Sequence, residues 1–232
     1  MYKFIDDNGN TLTKHLQFFK TAMDVLSGKS NYRKLFFGGG IRGGKTYLCL
    51  YIVILACRMF NGLRVHIIRK TFPCLRSTVV PSIKKLLDGV EYEEKMHAGN
   101  YYFRFPNGSE IHLFSESFDI DKDLDRFKGL ETNIIMLEQI EELQEKTYYK
   151  AIERVGTYIM KSGTPPPLIL STMNPTHVMW VRKLIYEPFR DNKIPQDTYI
   201  QMITAAENPF IPEYLHENWK SMNDLDYKQY VL

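Results

Sequence analysis

A chain of 232 residues, 44% hydrophobic and 13% aromatic, is long enough to bury one substantial core, and one domain over 1–232 is expected. Its net charge of +3 conceals a block from Asp24 to Asp88 with twelve Lys or Arg between them and no acid, while the other 18 basic residues face 27 acidic ones. No apolar run approaches the roughly 18 residues of a membrane span, and "MYKFIDDNGN" lacks the regions of a signal peptide, so a soluble intracellular chain is expected.

The basic block either attracts a polyanion, nucleotide phosphate or nucleic-acid backbone, or pairs with the acidic remainder on folding. Cys49, Cys57 and Cys74 are odd in number and lack CxxC spacing, so they read as reduced core residues rather than a disulfide framework or zinc site.

In chain order, "KLFF" (34–37) is a short buried strand running into glycines. From Lys45, "KTYLCLYIVILACRMF" has the length and apolarity of a buried helix ending near Asn61-Gly62. "RVHIIR" (64–69) reads as a strand and "VVPSIKKLL" (79–87) as a helix. "YYFRFPNGSEIHLF" (101–114) alternates about Asn107-Gly108, a hairpin signal. "NIIML" (133–137) and "LILST" (168–172) have buried-strand length and flank a helical stretch around "YYKAIERVG". "TPPP" (164–167) marks a stiff loop, and "TYIQMIT" (198–204) is the last strand. Strands alternating with helices imply a largely parallel sheet covered on both faces.

Gly39, Gly44, Lys45 and Thr46 satisfy G-x-x-x-x-G-K-[ST] between a predicted strand and a predicted helix, the context this phosphate-binding motif requires. Glycine-rich backbone from Gly39 through Gly40, Ile41, Arg42, Gly43 and Gly44 can wrap phosphates with its N–H groups, and the new helix adds its positive end. Lys45 then neutralises the β and γ phosphates of a nucleoside triphosphate, and the Thr46 hydroxyl ligates Mg²⁺. Arg42 is either a cis arginine finger or an outward loop charge.

Such a loop needs an acidic strand end, and "NIIMLEQIEEL" supplies Glu138, placed to reach the Mg²⁺ shell. The next residue is Gln139, which cannot accept a proton from water where related ATPases carry glutamate. Gln139 orients water in a slow enzyme, or Glu141 or Glu142 serves as base, or a deliberate Glu→Gln change traps nucleotide. "LILSTMNP" ends another strand with Ser171, Thr172 and Asn174, where a polar side chain can sense the γ-phosphate.

In this order of parts the chain resembles the ATPase domain of the large terminase of tailed bacteriophages, over nearly all its length. The segments are "LTKHLQFFKT", "GGGIRGGKT", "VHIIRKTFPCLRSTV", "DRFKGLETNIIMLEQIEEL", "LILSTMNPT" and "ENPFIPEYLHENWKSM". The resemblance implies a P-loop NTPase of the ASCE/RecA-like α/β type, with a mainly parallel central sheet flanked by helices and an inserted β-hairpin. It implies Gln17 near the adenine, Lys45 and Thr46 on phosphate and metal, Glu138 as the metal-binding acid and Asn174 in the coupling motif. Arg126 stands where some members place an arginine that enters the neighbouring subunit's site. Gln139 departs from the family's catalytic glutamate, and the family's C-terminal nuclease is absent from a chain that stops at "YKQYVL".

The expected function is ATP- and Mg²⁺-dependent packaging of double-stranded DNA into a viral procapsid. By resemblance its partners are a homo-oligomeric ring, the portal protein and the small terminase subunit, in host cytoplasm with transient docking on the procapsid and no membrane. Which basic residues touch DNA is unknown from sequence. Two rivals stay open: a nucleotide-responsive assembly module with little turnover, and a helicase-like P-loop ATPase acting on single strands.

Overall fold

The computed structural model describes residues 2–5, 9, 11–97 and 100–222, so the closing "YKQYVL" lies outside them. Eight strands form one sheet: β1 (Lys34–Gly39), β2 (Arg64–Arg69), β3 (Glu93–His97), β4 (Asn100–Arg104), β5 (Glu110–Ser115), β6 (Ile134–Leu137), β7 (Leu168–Met173) and β8 (Thr198–Ile203). Their order across the sheet is β3-β4-β5-β2-β6-β7-β1-β8. Every pairing from β5 to β8 is parallel, and β3-β4 and β4-β5 are antiparallel.

Side chains two apart along a strand share a face, and that period sorts the core into two layers. Leu35, Phe37, Val65, Ile67, Ile134, Met136, Leu168 and Leu170 join one cluster. Phe36, Ile68, Ile135, Leu137, Ile169 and Met173 join the other. Buried on both faces, these strands read as continuous apolar runs, as parallel strands do.

The first face is covered by α1 (Thr13–Leu26), α2 (Lys45–Met59) and α3, a continuous helical segment of Phe72–Cys74, a π-helical turn Leu75–Val79 and Val80–Leu86. In α1 the buried residues His15, Phe18, Ala22, Val25 and Leu26 recur at helical spacing, forming one inward stripe. Most of α2 is buried, because it lies under its neighbours on several sides. The second face carries α4 (Glu145–Arg154) and α5, which runs Met179–Val181, a π-helical turn Arg182–Tyr186 and Glu187–Arg190. A last helix, α6 (Glu213–Lys220), sets Trp219 with Ala205 and Ile211 in a small third cluster. Among the described residues no helix is long and apolar enough to cross a membrane. Cys49 and Cys57 are buried, Cys74 is half-buried, and all three are free.

Two expectations need correction. The helix read from residue 79 begins at Phe72, and its π-helical turn precedes Pro81 just as the turn in α5 precedes Pro188. A proline ring clashes with the carbonyl four residues back, and the wider turn relieves it without ending the helix. The hairpin about Asn107-Gly108 is present as β4 and β5, but the sequence reading lacks β3, which pairs with β4; with β5 parallel to β2, all three strands extend the main sheet. The sequence "EEKMH" conceals β3 because edge strands tolerate charged residues that interior strands exclude.

The hairpin turn also closes the end of α2, whose last carbonyls lack helical partners. Asn107 Nδ2 donates to Cys57 O at 2.8 Å and Ser109 Oγ to Phe60 O at 2.6 Å. Asn107→Ala is therefore expected to lower the unfolding free energy by about 1–3 kcal/mol. Urea denaturation checks this: the midpoint should fall with the slope unchanged.

Candidate functional site

Three neighbouring strand ends build the site. β1 runs into the glycine loop, β6 ends before Glu138, and β7, which lies between them, carries Thr172. Parallel pairing in register (Phe37 beside Thr172, Leu137 beside Ser171) brings all three carboxyl ends to one edge. Ligands of open α/β sheets gather at that edge.

The loop's glycines answer first to its scaffold. Gly39 has φ 120°, and a Cβ there would lie 1.7 Å from Ile203 O, at the end of β8. Gly40 N–H donates to the same carbonyl at 3.0 Å. Gly44, at φ 78°, is the N-cap of α2 and offers no side-chain cap, so the first amides of α2 are left for an anion. Two further residues hold the loop from outside: His15 Nε2 lies 2.7 Å from Gly43 O, and Asn208 Nδ2 donates to Arg42 O at 2.7 Å.

Lys45 is buried and donates to Gly39 O at 2.8 Å and Gly40 O at 2.6 Å. Burial pushes its ammonium down to about 8, with Glu141 and then Glu138 pulling it back up. An ammonium whose charge is so discouraged is a place where an arriving anion repays its burial.

Glu138 is also buried, and burial raises its carboxyl above the usual range against the pull of Thr172, Thr46, Arg69 and Lys45. Thr46 Oγ1 donates to its Oε1 at 2.7 Å and Thr172 Oγ1 to its Oε2 at 2.6 Å. Carboxylate and hydroxyl oxygens converging beside the glycine loop are the kind of donor that could hold Mg²⁺, an ion that takes few protein ligands. No cluster of three or more His, Cys, Asp or Glu suited to a metal occurs among the described residues.

Gln139 sits in the left-handed region at φ 53°. Its N–H donates to Thr172 Oγ1 at 2.9 Å, and its side-chain oxygen accepts from the guanidinium of Arg69. Arg69 ends β2, is buried, and also reaches Thr78 and, at 3.9 Å, Glu142.

Of the residues read from sequence, Ile41, Arg42, Gly43, Gly44, Lys45, Thr46, Gln139 and Asn174 line one cleft of about 350 Å³, with Gly39, Gly40 and Glu138 beneath it. Two do not join them. Gln17 is on the exposed side of α1 and its carbonyl accepts from Thr21; the buried residue that reaches the loop is His15, two positions earlier. Arg126 is exposed over the Phe114 ring at 4.7 Å. Phe114 is on β5, four strand spacings from β1, or about 19 Å. A second cleft of about 440 Å³, lined by Tyr2, Tyr47, Lys85, Asn208 and Phe210, adjoins the first at Gly44.

A family model for the phage terminase large subunit matches residues 30–232. The chain belongs to that family. This terminase chain shares its fold with the large terminase of thermophilic bacteriophage D6E, at 18% identity, TM-score 0.72, over 94% of this chain and 52% of that one. It is similarly related to the Thermus phage P74-26 large terminase ATPase domain (15% identity, TM-score 0.59, 90% of each chain). The HK97 bacteriophage large terminase also matches (11% identity, TM-score 0.58, 91% of this chain and 45% of that one). The terminase chain thus spans about half the length of the D6E protein. No curated protein matches it.

Lys45 makes a stability prediction. Its folded value of about 8 lies below the ordinary 10.5, so above pH 8 the unfolded chain holds the extra proton and stability rises with pH. Burial holds the Cys49 and Cys57 thiols up and works the other way, so the lysine is read as a difference from Lys45→Met. Between pH 8 and about 9.5 the parent should gain about 2 kcal/mol on that variant in denaturant unfolding.

Proposed function

We propose that this chain binds ATP with Mg²⁺ at the glycine-loop cleft and hydrolyses it to drive double-stranded DNA into a viral procapsid. The observation that carries the reading is the convergence of Lys45, Thr46 and Glu138 at one sheet edge, in a chain of the terminase large subunit family. The D6E terminase has been solved with ADP and with ATP-gamma-S, which supports a nucleotide in the corresponding place here.

Within this reading the loop amides and Lys45 hold the triphosphate, Lys45 exchanging its bonds to Gly39 and Gly40 for phosphate oxygens. Thr46 and Glu138 hold Mg²⁺, which supplies neutralisation of charge on the β and γ phosphates. The base lies in the adjoining cleft, where Tyr47 borders both spaces and offers a ring face. Asn174 meets the γ-phosphate end and passes its position to α5 through Tyr186, whose hydroxyl donates to Asn174 O at 3.0 Å. Arg42 is the cis candidate for a charge on the transferring phosphate; Arg126, exposed and distant from its own loop, suits only a neighbour's site in a ring. Portal, small subunit and procapsid docking in the host cytoplasm follow from the same reading.

For DNA, the basic block is only partly available. Lys34, Arg64 and Lys84 are paired with Asp197, Glu110 and Glu94, and Lys45 and Arg69 are buried in the site. Lys29, Arg58, Lys70 and Arg76 are exposed and supply the phosphate contacts in this proposal. Gln139, with its side-chain oxygen on Arg69, keeps one alternative alive: an assembly module that binds nucleotide with little turnover.

Three results test the proposal. Lys45→Ala should weaken binding of a fluorescent ATP analogue by about a hundredfold, equivalent to about 2.7 kcal/mol. Duplex DNA should stimulate phosphate release more than single strands do; the reverse order would favour the helicase-like reading. Duplex affinity, measured by anisotropy, should fall by about a hundredfold between about 50 and 200 mM salt, as expected for about four phosphate contacts.

A further inference from the structure

Four side chains from 138 to 142 present carboxyl or amide oxygens near the cradle, and three of them are engaged. Glu138 takes the hydroxyls of Thr46 and Thr172 on its two oxygens. The side-chain oxygen of Gln139 accepts from Arg69, and Glu142 pairs with the same guanidinium at 3.9 Å. Glu141 differs: its Oε2 is buried and has no hydrogen-bond partner.

Buried polar atoms without partners are uncommon, and the neighbours of this one indicate what is missing. Glu141 interacts electrostatically with Lys45, as Glu138 does, so it belongs to the same charged group. It also interacts with the backbone and side chain of Asn174, which lines the cleft. Lys45 and Asn174 are the groups that meet the γ-phosphate in the reading above, so Glu141 belongs to that end of the site.

We propose that Glu141 takes the proton of the water that attacks the γ-phosphate of ATP, in place of the side chain at 139; this rests on the ATP-hydrolysis reading. As the water oxygen bonds to the γ-phosphorus, its proton passes to Glu141 Oε2. The bond from phosphorus to the bridging oxygen breaks and its electron pair stays with ADP. The carboxyl then gives the proton to solvent or to the released phosphate. Burial, reinforced by Glu142 and opposed by Asn174, pushes this carboxyl up to about 7, a value suited to accepting a proton near neutrality.

The test uses the 232-residue chain with duplex DNA, its E141Q variant, and Glu145→Gln on the exposed first turn of α4 as control. Three quantities are read: affinity for MgATP, single-turnover hydrolysis, and retention of MgADP with aluminium fluoride, which mimics the phosphoryl group with its attacking water and needs no turnover. E141Q should bind MgATP within about threefold of the parent or tighter, hydrolyse it at least about a hundredfold more slowly and lose fluoride-dependent retention at least about tenfold. The Glu145→Gln chain should match the parent in all three. An E141Q chain that hydrolyses and retains within about threefold of the parent overturns the proposal. So does a parent that binds ATP but neither hydrolyses it nor retains the fluoride complex. If E141Q fails to bind ATP, Glu141→Asp carries the test: retained affinity with at least about tenfold slower hydrolysis supports it, and a parental rate overturns it. A parent that does not bind ATP removes both this proposal and the ATP reading, and the affinity measurement alone reveals that case.

Discussion

A carboxylate as buried as Glu138 has to be compensated, and the way it is compensated organises the edge of the sheet. Its oxygens take hydroxyls from two directions: Thr46, at the start of α2, and Thr172, at the end of β7. Thr172 in addition receives the N–H of Gln139. One charge thus ties the glycine loop, the central strand and the strand between them, and any change in the charge around Glu138 is felt on all three. Buried networks of this kind are demanding, because a single missing partner leaves a polar group stranded in a low-dielectric interior.

The sheet makes that arrangement affordable. With β7 lying between β1 and β6, the loop and the acid are separated by one strand, which carries Thr172 between them. On the other side of β1, Ile203 of β8 receives Gly40 and forbids any side chain at Gly39. The loop's conformation is therefore specified by strands on either side of it before any ligand arrives.

Much of this was legible in the sequence, for a physical reason. Strands buried on both faces are written as unbroken apolar runs, and a glycine-rich stretch between such a run and a long apolar helix leaves few alternatives. What escaped was information carried by partners far along the chain. Arg69 looks like the polar end of a strand; only the fold brings Gln139 and Glu142 to it. Asn208 carries no local signal of its contact with Arg42 O. His15 is a different matter, because the helical stripe through Phe18, Ala22 and Val25 includes it, so periodicity alone places it on the inward side of α1. For the edge strand β3, charge replaced apolarity, and no periodic apolar signal existed to read.

The anchoring of α2 at its far end has a mechanical side. The helix has 15 residues, about 22 Å at the α-helical rise, and is fastened at one end to the glycine loop and at the other to Asn107 and Ser109. A rod pinned at both ends transmits axial displacement with little loss. The far anchor is the turn of the β4-β5 hairpin, so the helix has the build of a pushrod between that turn and Thr46.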